Sequence, residues 1–226
     1  MDLKINVGCG RSATQGWLNF DGSPSVRLSR LPCISHLTGT LVAAGLLTRD
    51  QADFIHYCKH QEILYADVLK GLPLPDRCCS VVYASHVLEH LHRSDEAVRF
   101  LCELKRVLQP GGVLRLVVPD LRILIRDYLD RADADSFVAS LHVVPQRARS
   151  GLPGLIGLLT SDRTWHRWIY DRDSLLQLLS EQGFSAIRVL EAGETSIPDP
   201  GALNLHERAC ESLYVEALPL FSKPLP

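Results

Sequence analysis

Short apolar runs alternate along the chain with longer stretches whose apolar residues recur at helical spacing. The run from Ser80 to Ala84 is nearly all apolar, as expected for a strand buried inside a parallel sheet. Between about Ser94 and Leu108, apolar residues recur every three or four positions, which predicts an amphipathic helix. Pro110-Gly111-Gly112 predicts the end of that helix, and the apolar run 113–118 predicts the next strand.

The other predicted elements continue this alternation. The remaining predicted strands cover residues 4–7, 17–20, 63–66, 184–190 and 211–215. Helices are predicted over HLTGTLVAAGLL, over TRDQADFIHYCKH with Thr48 as the N-cap, from about His86, and up to about Gln182 with Asp171 or Asp173 as the cap. Strands that alternate with helices indicate an α/β fold with a largely parallel sheet.

Composition and charge restrict the class of protein. The chain has 226 residues and a formal net charge of −2, so we expect one domain and no preference for nucleic acid or an anionic membrane. There is no apolar run of about 18 residues and no apolar leader after a basic start, which predicts a cytoplasmic protein. The seven cysteines are scattered without a C-x-x-C pair, which favours reduced thiols over disulfides or a cysteine zinc site.

Glycines and acidic residues follow the predicted strands. The segments at the strand ends are Gly8-Cys9-Gly10, Asp21, Asp67, Ser85-His86 and Asp120. In an open parallel sheet, ligands bind beyond the carboxyl ends of the strands. Glycines allow close approach of the backbone to a ligand, and a carboxylate after the second strand can accept both hydroxyl protons of a ribose. Together these positions predict an adenosine site.

Five segments carry a family resemblance. They are INVGCG, GWLNFD, YADV, SVVYASHVLEHL and LKRVLQPGGVLRLVVPD. Over roughly residues 3 to 120 they resemble the successive motifs of class I S-adenosylmethionine-dependent methyltransferases, especially the subgroup with a generic small-molecule methyltransferase domain. The resemblance implies a Rossmann-like α/β fold with a seven-stranded, mostly parallel sheet, an antiparallel last strand and helices on both faces. It also implies S-adenosylmethionine as cofactor, S-adenosylhomocysteine as product and a small-molecule acceptor.

The resemblance assigns residues to each part of the cofactor. They are Asn6, Gly8, Cys9 and Gly10 near the methionine part, Asp21 at the ribose hydroxyls, Asp67 and Val68 at the adenine, and Ser85 and His86 near the sulfonium. Asn6 stands where the family usually has an acid, and Ser12 where it usually has a glycine. The amide of Asn6 can still form hydrogen bonds.

Two further departures concern the cover of the site. The segment between Gly10 and Asp21 is too short for the helix that usually joins the first two strands. The first strand begins at about residue 3, so we expect the usual N-terminal covering helix to be absent. We treat residues 1–226 as a single domain in which insertions at about 22–61 and 121–170 are the candidate lids. A second subunit is the other candidate, which would make the protein a homodimer.

The stretch SHVLEHLH also contains H-x-x-E-H, the signature of a class of zinc peptidases. Helical spacing would place His86, Glu89 and His90 on one face. A third ligand, usually a glutamate on a later helix, has no recognisable frame at Glu181 or Glu191. We therefore expect no metal, with Glu89 and His90 mainly structural and His86 facing the cofactor.

Methyl transfer to a hydroxyl or ammonium group requires a base, and we expect His86 to provide it. The segment HRWIYD supplies two further catalytic candidates, His166 and Tyr170. The alternative is that Tyr170 packs in the core and Asp171 caps a helix. Basic residues nearby could bind a carboxylate or phosphate of the acceptor or lie on a solvated loop: Arg147, Arg149, Arg163 and Arg167.

Two other functions compete with a methyltransferase. A methyltransferase fold that binds adenosine without catalysis could serve as a partner subunit, but the intact Gly8, Gly10 and Asp21 argue against this. A nicotinamide-dependent oxidoreductase would need a G-x-G-x-x-G frame, which GCGRS lacks.

Overall fold

The computed structural model describes residues 2–143 and 165–221. The described strands are β1 (Leu3–Val7), β2 (Leu18–Asp21), β3 (Ile63–Tyr65), β4 (Cys79–Ser85), β5 (Leu108–Pro119), β6 (Phe184–Leu190) and β7 (Ser212–Pro219). They form one sheet in the order β3-β2-β1-β4-β5-β7-β6. The first five strands pair in parallel, and β7 runs antiparallel to both β5 and β6. The predicted seven-stranded sheet with an antiparallel last strand is confirmed.

The described helices are α1 (Pro24–Ser29), α2 (Ile34–Ala43), α3 (Arg49–His60), α4 (Glu96–Val107), α5 (Leu121–Arg131), α6 (Ala134–Ser140) and α7 (Arg172–Glu181), with 3₁₀ turns at Val68–Lys70 and Leu88–His90. Thr48 caps α3 in a capping box with Gln51, as predicted. Asp171, the first of the two candidates, caps α7. None of these helices has the length and apolar character needed to cross a bilayer.

The prediction of a helix from about His86 is wrong. After β4 the chain turns at His86, whose φ of 53° lies in the left-handed region, and it forms only the short 3₁₀ turn Leu88–His90. A non-glycine residue in this region is strained, and such strain is often found at functional sites. The H-x-x-E-H residues are therefore brought together by a tight turn.

One face of the sheet carries the main apolar core. Alternate residues of the strands pack there against α4 and α7, with Phe100, Leu104 and Leu178 almost fully buried. The apolar stripe predicted for 94–108 is therefore the buried face of α4. This packing fixes the position of the carboxyl ends of β4 and β5.

The opposite face carries a buried polar row. Asn19, Asn6, Tyr83, Arg115 and Glu216 lie in register across β2, β1, β4, β5 and β7. All five are at most 5% exposed. Buried polar groups need partners, so this row constrains what can cover it.

The β6–β7 connection, residues 191–211, covers part of this polar face. Its Ile197 and Leu203 pack in a cluster with Trp17 and Tyr83, and its Glu194 carbonyl accepts a hydrogen bond from Arg115 at 2.8 Å. The loop between β1 and β2 contains no helix, as its length predicts. The β6–β7 connection therefore packs on the same face as the loop that joins β1 and β2.

The insertion at 22–61 forms α1, α2 and α3 beside the β3 edge. Tyr57 of α3 donates a hydrogen bond to the Arg11 carbonyl at 2.8 Å, and Arg11 donates to the Asp50 carbonyl at 2.9 Å. The insertion thus supports the loop that follows β1. Of the other insertion, residues 121–143 and 165–170 are described, while Arg147, Arg149 and Arg163 lie outside the described residues.

Candidate functional site

The loop after β1 exposes backbone at the carboxyl edge of the sheet. Gly8 and Gly10 have φ values of 70° and 48°, a conformation that side chains other than glycine rarely adopt. A Cβ atom on Gly8 would collide with Val87, whereas a Cβ on Gly10 would meet nothing within 4 Å. The loop is therefore pressed against the turn after β4 at Gly8 and opens onto free space at Gly10.

Asp21 lies beside this open space at the end of β2. Its Oδ2 accepts a hydrogen bond from the Gly10 N–H at 3.0 Å, and its Oδ1 accepts one from the Ser23 N–H at 2.8 Å. The residue is 8% exposed. Because an ionised carboxylate offers about four acceptor sites, capacity remains for two hydroxyl donors. The position fits the ribose of an adenosine cofactor.

Asp67 and Val68 follow β3 on the same edge. Asp67 caps the 3₁₀ turn Val68–Lys70 through a 3.2 Å hydrogen bond from the Leu69 N–H, and it pairs with Lys70 at 3.3 Å. The backbone of Ala66 is tied to Asp21, since its N–H donates to the Asp21 carbonyl at 3.2 Å. The adenine and ribose candidates are therefore neighbours on adjoining strands.

Two of the predicted cofactor residues lie beneath this surface. The Asn6 amide donates to the Ser12 carbonyl at 2.9 Å and to Thr14 Oγ1 at 3.2 Å. It therefore supports from below the loop between β1 and β2, residues 8–17, which we call the glycine loop. The Cys9 side chain packs among apolar residues between the loop and α3. Burial, and next the charge of Asp21, raises the pKa of the Cys9 thiol. Both residues shape the loop that a cofactor would contact.

Ser85 and His86 end β4 next to the glycine loop. The His86 side chain is 7% exposed, with Nε2 3.0 Å from Ser212 Oγ and Nδ1 3.1 Å from Glu89 Oε1. Arg208 lies 3.3 Å from the same Nδ1. Of the two contacts at Nδ1, only the one with Arg208 has the geometry of a hydrogen bond. A guanidinium only donates hydrogen bonds, so this arrangement uses Nδ1 as an acceptor and leaves the ring proton on Nε2 for Ser212.

The segment 165–170 is tied to the turn after β4. The N–H groups of Arg167 and Trp168 donate to the Glu89 carbonyl at 2.7 and 3.1 Å, and His90 Nδ1 lies 3.0 Å from the Trp165 carbonyl oxygen. His166 is thereby placed with its Nε2 4.0 Å from Glu89 Oε1. Burial lowers the pKa of His166 to about 4, against the opposing charge of Glu89.

The structure places the two catalytic candidates of this segment differently. His166 is 9% exposed and lies in the same cluster as Glu89 and His90. Tyr170 is fully buried in the main core, and burial raises its pKa to about 12. Asp171 caps α7. Tyr170 therefore packs in the core and Asp171 caps a helix, which is the alternative to a catalytic role.

Three residues of this region were missed by the sequence reasoning. Glu207 accepts hydrogen bonds from Tyr83 at 2.6 Å and from Ser12 at 2.7 Å, and so links the glycine loop to the β6–β7 connection. Arg208 and Ser212 contact His86. They lie about 120 residues from β4 in sequence, and no local motif marks them.

A hollow of about 390 Å³ lies elsewhere, lined by residues that include Trp17, Arg30 and Lys59. It borders the beginnings of β2 and β3, at the edge of the sheet opposite to Asp21. Since ligands of parallel sheets bind at the carboxyl edge, we place the functional site at the glycine loop.

The strand order and the glycine–aspartate edge define a Rossmann-like, class I methyltransferase fold. Residues 5–116 match the family model described as a methyltransferase domain, and this part of the chain is accordingly a class I methyltransferase domain.

The chain is similar to one curated relative and to several solved structures. The probable methyltransferase ltbC of Aspergillus luteorubrus is 38% identical over 119 residues, which is 50% of this chain and 38% of that protein. A SAM-dependent methyltransferase of Methanosarcina mazei superposes with a TM-score of 0.50 at 16% identity, over 98% of this chain and 93% of that one. One from Thermotoga maritima gives 0.49 at 14% identity, over 96% and 82%. At 16% identity the Methanosarcina mazei structure shows the fold alone.

Proposed function

We propose that this protein transfers the methyl group of S-adenosylmethionine to an oxygen or nitrogen of a small molecule. The observation that carries the proposal is the Asp21 carboxylate, held by Gly10 and Ser23 beside open space, with acceptor capacity left for a ribose. The matched relative has a methyltransferase name but is much longer than the matched segment, so the activity of the whole protein belongs to this proposal.

The residues divide the work of holding the cofactor. Asp21 would bind the ribose hydroxyls, Asp67 and Val68 would border the adenine, and the loop Gly8–Gly10 would face the methionine part. When bound, the cofactor supplies an electrophilic methyl group on a sulfonium. The protein then has to hold the acceptor in line and away from water, which can account for much of the rate.

The cover of the site is part of the proposal. Residues 22–61 and 121–170 remain the candidate lids of a single domain, and the β6–β7 connection joins them because Glu207 and Arg208 reach the glycine loop and His86. A second copy of the chain is the alternative cover.

The direct test is an acceptor screen. Purified protein is incubated with S-adenosylmethionine and separate panels of phenols, carboxylic acids and amines, and S-adenosylhomocysteine is measured by mass spectrometry. We expect product above the acceptor-free background with at least one panel. No product from any panel, together with no cofactor binding, would contradict the proposal.

His86 is proposed as the base because it directly follows β4 at the carboxyl edge of the sheet, in the turn that contacts Gly8, where the sulfonium is expected. We expect His86→Asn to lower turnover by about 100-fold or more, the usual range for loss of a general base, with cofactor affinity nearly unchanged. Asparagine tolerates the left-handed backbone at this position, which protects the turn.

The control for this prediction is His60→Asn, at an exposed position on α3. Turnover by steady-state kinetics and affinity by calorimetry are measured for both variants. Normal turnover in His86→Asn would remove His86 as the base and leave His166 as the next candidate.

A further inference from the structure

We propose that Glu89, His90 and His166 bind one divalent transition-metal ion beside the end of β4. One potential ligand atom from each residue lies within 4.8 Å of those of the other two. Two imidazoles and one carboxylate are a ligand set that suits Zn²⁺ and other first-row divalent ions.

Glu89 is the strongest evidence for a ligand. Its side chain is 0% exposed, and neither carboxylate oxygen forms a hydrogen bond with any described residue. A buried carboxylate without compensation is costly, so it requires a cation or a proton donor. The described residues around Glu89 decide whether a cation or a proton donor compensates its charge.

His86 is the neighbour that could provide a proton to Glu89, since its Nδ1 lies 3.1 Å from Oε1. That same nitrogen lies 3.3 Å from Arg208, which can only donate, while Nε2 is bonded to Ser212. With Nδ1 used as an acceptor, a lone pair faces the carboxylate. A metal ion at Glu89 would relieve this arrangement.

His90 has the environment of a metal ligand. Its Nδ1 lies 3.0 Å from the Trp165 carbonyl oxygen, which can only accept a hydrogen bond, so Nδ1 carries the proton. The Nε2 atom is then unprotonated and able to coordinate. Metal-binding histidines commonly donate their other N–H to a backbone carbonyl in this way, which fixes the tautomer and the ring orientation.

His166 completes the set and is held there by backbone contacts. The hydrogen bonds from Arg167 and Trp168 to the Glu89 carbonyl anchor its segment, and its own N–H donates to the His142 carbonyl at 3.0 Å. The ring centroids of His90 and His166 are 5.0 Å apart. His142 is exposed and its ring lies 5.2 Å from that of His166, so the cluster reaches the surface and an ion could enter.

The geometry requires a modest contraction. With metal–ligand distances of about 2.0–2.1 Å, tetrahedral ligand atoms lie about 3.3 Å apart, so the widest pair would close by about 1.5 Å at most. Rotation of the His166 side chain, whose Nδ1 has no hydrogen-bond partner among the described residues, can supply that movement.

Three protein ligands leave a coordination position open, as in catalytic zinc sites. Because Glu89 lies 3.1 Å from His86, the proposed base, the cluster adjoins the proposed site of methyl transfer, and that position would be open to an oxygen of the methyl acceptor. This last step rests on the proposed methyl transfer, whereas metal binding itself does not.

The test is titration of chelator-treated protein with Co²⁺, followed by the visible d–d absorption, with competition by Zn²⁺ and metal content by mass spectrometry. We expect about one ion per chain, and a loss of affinity of about 100-fold or more in Glu89→Gln and in His166→Asn, since each variant removes a ligand. His92→Asn is the control, because this exposed histidine lies near the cluster but outside it.

Folding and cofactor binding are measured on the same samples by thermal denaturation and by titration with S-adenosylmethionine. The proposal is overturned if the wild-type protein binds no Co²⁺ stoichiometrically, or if folded Glu89→Gln and His166→Asn bind it as tightly as the wild type. If a variant does not fold, the wild-type stoichiometry and the other variant decide. Cofactor binding without metal binding would disprove only the metal site. Metal binding without cofactor binding would disprove only the methyltransferase proposal.

Discussion

Replacing Asp21 by asparagine is expected to weaken binding of S-adenosylmethionine by roughly two to four orders of magnitude. The carboxylate is proposed to accept two ribose hydroxyls, and hydrogen bonds to a charged group contribute about 1.5–3 kcal/mol each. The substitution keeps the size of the side chain and one of its oxygens, so the support of the Gly10 and Ser23 N–H groups is only partly lost. Isothermal titration calorimetry measures the change.

The matched control is Asp53→Asn, at an exposed position on α3. This variant should bind the cofactor like the wild type. Thermal denaturation of both variants shows whether the fold is retained. A folded Asp21→Asn protein with wild-type affinity would disprove the ribose assignment.

Replacing Glu216 by glutamine is expected to lower the free energy of unfolding by about 3–5 kcal/mol, because it leaves the Arg115 charge buried without its counter-ion. Arg115 Nη1 lies 2.7 Å from Glu216 Oε1, and both side chains are at most 3% exposed. Glu216 also accepts hydrogen bonds from Thr195 and Ser196 of the β6–β7 connection. Urea denaturation measures the loss.

The same group predicts a pH dependence. Burial alone would raise the pKa of Glu216, but hydrogen bonds from Ser196 and Thr195 and the contact with Arg115 outweigh it and lower the pKa below the ordinary 4.5. A lowered carboxyl pKa contributes stability that is present above the ordinary value and is lost as the pH falls through the folded-state value. The difference between the wild type and Glu216→Gln should therefore shrink below about pH 4.5.

Glu191→Gln is the control for this prediction, since it removes a charge at an exposed position of the same connection. Its unfolding free energy should stay within about 0.5 kcal/mol of the wild type. A loss below about 1 kcal/mol in Glu216→Gln would contradict the account of the polar row.

The sequence predicts the strands and the carboxyl-edge residues well because these signals are local. The buried run of β4 and the Thr48 cap each depend on a few adjacent residues, and each is found where it was expected. The glycine loop and Asp21 also meet as expected, since parallel strands bring their ends to one edge.

The environment of His86 could not be predicted in this way. Arg208 and Ser212 reach it from about 120 residues away, across a connection whose sequence has no helical or strand period. A left-handed turn at His86 stands in place of the predicted helix, and it brings Val87 against Gly8. Tertiary contacts decided both features.

The cluster of Glu89, His90 and His166 shows a further limit. The H-x-x-E-H motif is typical of a zinc site, but the third ligand of such a site is usually a glutamate on a later helix. The structure instead brings His166 to Glu89 through backbone hydrogen bonds from Arg167 and Trp168. Backbone groups carry no sequence signature, so this meeting could not be found by motif spacing.

The most direct test of the central claim is calorimetric titration of the purified protein with S-adenosylmethionine and S-adenosylhomocysteine. We predict saturable binding of both, with dissociation constants of about 1–100 μM, or roughly −8 to −5.5 kcal/mol. The Asp21→Asn protein should bind both compounds at least about 100-fold more weakly under the same conditions. Absence of binding to the folded wild-type protein would contradict the claim that the Gly8–Gly10 loop and Asp21 form a cofactor site.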